Sequence, residues 1–126
     1  MEQSLPMHGE LEFFITELSA EHATSRMPVK AGMCNPFGTV HAGAMLWMAD
    51  VTATVLALGK TQASPGQKGF PLAVNLHCSL LGNVGSGEIR AEARYVRRGR
   101  RVSVIRTLVT ADGKLLAEVT TSHLPA

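Results

Sequence analysis

The chain has 126 residues, of which 45% are hydrophobic and 17% charged, and a formal net charge of +2. That size suits one domain with a real core, expected to span residues 1–126, and the composition excludes extended disorder. The charge is too small to imply nucleic-acid binding, and no DNA- or RNA-reading motif is present.

The opening residues, MEQSLPMHGELEF, are acidic and polar and do not read as a signal peptide. Cys34 and Cys78 are too few and too far apart for a disulfide framework or a zinc site, so two free thiols in a reducing cytoplasm are expected. Leu11, Phe14, Ile15 and Leu18 recur at helical spacing and predict a short amphipathic helix within Gly9–Ser19. In Ala23–Gly32 the proline at position 28 predicts an edge strand or an extended connector.

Met33–Val40 (MCNPFGTV) reads as a turn, because Pro36 pushes Asn35 away from helical geometry and Phe37-Gly38 continues the break. A long helix begins at or just after His41 and ends near Gly59, before a polar loop carrying Pro65-Gly66. It is apolar on nearly every side, which marks a buried helix, yet Asp50 lies in its middle. A carboxylate there is costly unless it is paired, hydrogen-bonded or facing a polar cavity. Ala42–Gly59 nears the length of a membrane span, but Asp50 and the threonines argue against one, and no second apolar span follows. A soluble protein without membrane contacts is expected.

Leu72, Val74, Leu76, Cys78 and Leu80 alternate with more polar or smaller residues, a period of two that predicts a strand. Beyond a turn at Gly82–Gly87, Ile89, Ala91, Ala93 and Tyr95 form an apolar face against a charged one. Arg97–Arg101 (RRGRR) reads as a hairpin connection, and strands at Val102–Thr110 and Lys114–Leu124 flank an Asp112-Gly113 turn. Four strands on short connections predict an antiparallel meander with the long helix covering one face. The expected class is α+β, an antiparallel sheet wrapped around one long central helix.

Such a sheet, with Asn35-Pro-Phe-Gly-Thr-Val-His41-Ala-Gly43 followed by Asp50, resembles the hotdog-fold acyl-CoA thioesterases of the phenylacetate-pathway and 4-hydroxybenzoyl-CoA type. Their signature is N-x-x-G-x-x-H-G-G…D. The layout matches from about Met33 onward, and Asn35–Thr54 is the specific part. The resemblance implies hydrolysis of an acyl-CoA thioester to a free acid and coenzyme A, with Asp50 as nucleophile or general base. It implies the Ala42 backbone amide as oxyanion donor, Gly43 beside it, and Asn35, His41 and Thr54 holding the thioester or the attacking water. Here Ala42-Gly43 stands where the family has paired glycines. The backbone N–H survives that change, while the added methyl narrows the approach of the thioester. Acyl-CoA is then the substrate, and neither a cofactor nor a metal is called for.

The residues support this chemistry on their own terms. Hydrolysis needs a carboxylate to attack or to activate water, and donors aimed at the developing oxyanion. Asp50 and Thr54 are four apart and share a helix face. The Ala42 amide is eight residues earlier, roughly 12 Å along the axis at about 1.5 Å per residue. Asp50 of one chain facing the helix start of a second removes that difficulty. The expected assembly is a homodimer with sites across its interface, and beyond it a homotetramer.

Plainer readings stand beside these. Asn35 before a proline is ordinarily a turn former, and His41 a helix-start residue. His77, Cys78 and His123 read as core or interface positions rather than ligands. Leu46, Trp47, Met48 and Phe37 shape either an acyl pocket or the core. Arg97, Arg98, Arg100 and Arg101 by default decorate a solvated hairpin tip; the resemblance adds that they hold the phosphates of coenzyme A. Two alternatives share the fold. A hydratase or dehydratase needs a local pattern that is absent, and for a non-catalytic acyl-CoA-binding regulator the segment before the first strand is too short to carry a DNA-binding module.

Overall fold

Six strands join into one antiparallel sheet that curls around a single long helix in the computed structural model, which describes residues 4–126. The strands are β1 (Phe14–Leu18), β2 (His22–Pro28), β3 (Pro71–Leu80), β4 (Glu88–Arg98), β5 (Ser103–Ala111) and β6 (Lys114–Pro125), in sheet order β1-β2-β4-β5-β6-β3. The helix, α1 (Ala42–Leu58), lies between β2 and β3 in the chain. This is the expected hotdog arrangement. No helix among the described residues is long and apolar enough to cross a membrane.

Helix α1 has the predicted ends. His41 is its extended N-cap, and Gly59 closes it in the left-handed region at φ 78°, donating to the Val55 carbonyl. A residue with a Cβ would be strained there, which is why the helix stops at glycine. One face of α1 presses Met45, Met48, Ala49, Thr52 and Leu56 into the sheet. Opposite them the sheet offers small residues, with Ala23, Ala91, Ala93 and Ala117 all buried. Small side chains let the helix approach, and the long thioethers of Met27, Met33, Met45 and Met48 fill what remains. Each such burial contributes roughly 1.5–3 kcal/mol.

The N-terminal region corrects the sequence reading. Residues expected to form a helix within Gly9–Ser19 form strand β1, paired antiparallel with β2. The spacing of Leu11, Phe14, Ile15 and Leu18 fits a helix, but Phe13 to Thr16 is also a run of strand-favouring residues. The otherwise open edge of β2 gives their backbone groups partners. Side chains add to the pairing: Thr16 and Thr24 hydroxyls meet at 2.7 Å, and the Arg26 guanidinium lies 4.7 Å from the Phe14 ring centre. Covered by β1, β2 is an interior strand rather than the edge or connector expected. Its Pro28 sits at the last position, where the ladder ends.

The meander is also reordered. β4, β5 and β6 are consecutive neighbours, as expected, but β3 pairs with β6 instead of β4. The connection at 81–87 is therefore a crossing rather than a hairpin turn. It passes the start of α1, where Val40 donates to the Val84 carbonyl and the Asn83 amide donates to the Val40 carbonyl at 2.8 Å. Three inter-strand gaps at about 4.8 Å are easily spanned by seven residues at about 3.3 Å each. A short connection thus fits both topologies.

Being last in the sheet, β3 leaves one edge open. Its alternating apolar residues are not core: Leu72, Val74, Leu76 and Leu80 are each exposed by 42–53%. An exposed apolar edge strand invites pairing with another chain. The outer face of the sheet carries ion pairs instead, among them Arg94–Glu92 and Arg106–Glu118 at 3.0 Å.

Candidate active site

The helix face turned away from the sheet carries Gly43, Trp47, Asp50, Val51, Thr54 and Leu58, none of them fully buried. Asp50 is half-buried, and its Oδ1 is sealed from solvent without a hydrogen-bond partner among the described residues. An acceptor left in that state costs about 1–3 kcal/mol, and among the described residues only the Thr107 hydroxyl shares it. The carboxylate borders a cleft of about 460 Å³. Thr54 and Leu58 extend its floor along the helix, while Phe70, Leu72 and Ala63 wall it from the loop and β3.

The other expected groups cluster at the start of α1. Gly38, Gly59-like in its left-handed φ of 80°, lets the 35–39 turn close. Within that turn Asn35 Oδ1 accepts from the Phe37 and Thr39 amides at 2.9 and 3.2 Å, and Nδ2 donates to the Thr39 hydroxyl at 2.8 Å. Asn35 is thereby a turn former first, with one amide hydrogen left over. His41 is exposed, and its ring makes no cap bond. The amides of Ala42 and Gly43 open the helix, where no intrahelical carbonyl is available to them. Gly43 itself is exposed, and a Cβ there would meet nothing within 4 Å. Such amides and the positive helix end suit a developing oxyanion.

Within one chain these two groups of residues do not converge, because the axial separation of Ala42 from Asp50 is about 12 Å at eight residues. The residues named from sequence as pocket candidates also scatter. Met48 is core, Leu46 packs against the core, and Phe37 is 91% exposed at the turn tip. Trp47 stands on the open face with its ring edge-on to Phe13, centres 4.7 Å apart. The cleft is lined instead by residues that sequence reasoning did not single out, notably Val51, Leu58 and Phe70. Counting on from Asp50 by helical turns finds Thr54 and Leu58; nothing local signals Phe70.

The arginine hairpin divides. The Arg98 guanidinium lies 4.1 Å from the Tyr95 ring centre and donates to the Ala20 carbonyl, while Tyr95 donates to the Leu56 carbonyl at 3.3 Å. Arg98 therefore ties β4 to the β1–β2 turn and is spent on structure. Arg97, Arg100 and Arg101 are exposed and make no ion pair among the described residues. His123 is buried, its Nε2 at 2.8 Å from the Thr121 hydroxyl and its Nδ1 at 3.1 Å from the Pro71 carbonyl. The Cys78 thiol is pushed up from its ordinary pKa by burial, which suits packing rather than nucleophilic attack. His77 is exposed on β3.

Comparison with known proteins gives the chain a family and relatives of the same fold. The family model described as a domain of unknown function, DUF4442, matches residues 1–123. A Mycobacterium tuberculosis protein provisionally named an esterase is 27% identical over 109 residues, covering 86% of this chain and 77% of its own. A Ralstonia eutropha structure, provisionally named a thioesterase and phenylacetic acid degradation-related protein, superposes with a TM-score of 0.77 at 27% identity, covering 89% of this chain and 83% of that one. The phenylacetic acid degradation protein PaaI of Thermus thermophilus, in a mutant form, gives 0.80 at 23% identity and covers 92% and 95%.

Proposed function

Because the chain belongs to the DUF4442 family and carries the hotdog fold of the PaaI-type thioesterases, we propose that it hydrolyses acyl-CoA thioesters. The observation that carries the reading is Asp50, a carboxylate with an unpartnered, buried Oδ1 that borders a cleft of ligand size on a helix that is otherwise apolar. Water losing a proton to Asp50 adds to the thioester carbonyl carbon, the oxyanion is held by the Ala42 amide, and the carbon–sulfur bond breaks. The proton then leaves with the coenzyme A thiolate. Direct attack by Asp50 through an anhydride is the alternative route, and incorporation of labelled water oxygen into Asp50 in a single turnover distinguishes it.

The site is completed by a second copy. If Asp50 of each chain meets the Ala42 amide of the other, the helices run antiparallel and cross near Leu46, midway between the two. Trp47 and Gly43 then lie at the seam, and the exposed apolar edge of β3 gains cover. His41, Gly43 and Thr54 border the thioester in this arrangement, with Asn35 shaping the turn that delivers the helix start. Arg97, Arg100 and Arg101 meet the coenzyme A phosphates. Charge reversal at these three raises KM for CoA esters more than for a pantetheine ester; equal effects would remove that role.

Release of free thiol from a panel of acyl-CoAs tests the activity. Asp50→Asn is expected to lower kcat by about 10²–10⁴-fold while leaving substrate binding intact. Thiol release from none of the esters by the wild-type protein would sink the proposal. Mixing Asp50→Ala chains with chains disabled at the helix start recovers activity only if sites are shared.

A further inference from the structure

The cleft beside Asp50 carries its carboxylate at one end and is mostly apolar beyond it. Asp50 and Thr54 sit at its head, and the walls beyond them are Val51, Val55, Leu58 and Phe70. Asp50, Thr54 and Leu58 succeed one another by single helical turns, so the floor runs roughly 12 Å from carboxylate to Leu58 at about 1.5 Å per residue. The loop after α1 returns along the far end, where Ala63 and Phe70 line the cleft beside Leu58.

Building on the thioesterase reading, we infer that this cleft holds the acyl group and selects an unbranched, medium-length alkyl chain, with Leu58 setting its length. The pantetheine arm is the wrong occupant. It carries two amides, and an amide moved into an apolar site without partners costs about 1–3 kcal/mol. Past Thr54 the side chains of the wall offer no matching donors or acceptors apart from Thr61, which is exposed. An aromatic acyl group fits the head of the cleft but leaves the Leu58–Phe70 end empty. A chain with a charged terminus loses hydration there without compensation. An alkyl chain meets apolar surface along the whole length.

The thioester carbonyl stays beside Asp50 in every case, so chain length acts through binding along the floor. Each methylene added as far as Leu58 and Phe70 is worth about fourfold in kcat/KM, from about 0.8 kcal/mol per buried CH₂. A hydroxyl at the chain end is disfavoured by no more than about a hundredfold, since an apolar pocket discriminates weakly against such an addition.

Leu58 is partly exposed, so it can be changed without opening the core. The experiment compares acetyl-, butyryl-, octanoyl-, lauroyl- and phenylacetyl-CoA on wild type, Leu58→Phe and Leu58→Ala. Octanoyl-CoA is expected to be the preferred ester. Leu58→Phe should cut its kcat/KM by about tenfold while butyryl-CoA changes less than about twofold. Leu58→Ala should move the optimum toward lauroyl-CoA. A wild-type preference for phenylacetyl-CoA, or equal effects of Leu58→Phe on all esters, would overturn the assignment. Should no ester be turned over, hydrolysis fails as a reading and calorimetric binding of octanoyl- and acetyl-CoA decides the slot. Tighter octanoyl binding that Leu58→Phe abolishes supports it, and equal binding of the two overturns it.

Discussion

The two long faces of α1 are both largely apolar and opposite in surroundings. Met45, Met48, Ala49 and Leu56 are sealed beneath the sheet, whereas Trp47, Asp50, Val51 and Thr54 are left open. Hydrophobicity reports that a face needs cover and is silent on where the cover comes from. The chain's own sheet covers the first face. For the second, substrate and another copy of the chain are the proposed cover, and the charge sits on that side.

The sharpest contrast comes from cutting into the sealed face. Met48→Ala should destabilise the protein by about 2–5 kcal/mol, read from denaturant unfolding, with turnover per folded molecule little changed. Loss of activity without loss of stability would erase the division between the two faces. Trp47→Glu acts on the open side. It is expected to cost the fold about 1 kcal/mol, for the edge-on contact with Phe13, but to abolish association and turnover together. A variant that remains dimeric and active by light scattering and assay would show that α1 is not the seam.

A finer test uses the polar contact on the sealed face. The Ser25 hydroxyl meets Thr52 Oγ1 at 2.8 Å, and Thr52 in turn donates to the Met48 carbonyl at 2.6 Å. Ser25→Ala leaves Thr52 satisfied and should cost about 0.5–1.5 kcal/mol. Thr52→Val leaves a buried hydroxyl stranded on β2 and should cost about 1–3 kcal/mol. Equal losses in thermal unfolding would mean that the tether has no direction.

The smallest effect lies on the sheet's outer face. The hydrogen bond from Arg106, and then its charge, lowers the Glu118 pKa. A carboxyl lowered in the folded state adds stability above its unfolded pKa and loses it as pH falls through the folded one. Arg106→Ala should return the Glu118 titration toward its ordinary position, followed by NMR, and flatten the acid-side slope. Both groups are solvated, so neutral-pH stability should scarcely move.

The sequence made α1 legible because both its ends are written locally, at His41 and Gly59. β4 to β6 were equally plain from alternation and the Asp112-Gly113 turn, whose residues have φ of 48° and 76°. β1 was hidden because the spacing of Leu11, Phe14, Ile15 and Leu18 fits a helix while the residue types of Phe13 to Thr16 favour a strand, and only the edge of β2 decides between them. β3 was recognised but misplaced, since strand order depends on where a crossing segment lands. Its leucines are exposed; alternation gives a face without saying what meets it. In the candidate site Asp50, His41 and Ala42 were visible as motif, while Phe70 joins the cleft only through the return of the loop.

The thioethers in the core carry one more consequence. Met27, Met33, Met45 and Met48 are at most 1% exposed, whereas Met7 is 92% exposed. Peroxide reaches the four only when the helix lifts from the sheet, and each sulfoxide formed is too polar to pack again. Oxidation therefore works as a ratchet, and its rate by mass spectrometry, with Met7 as internal clock, records how often the molecule opens.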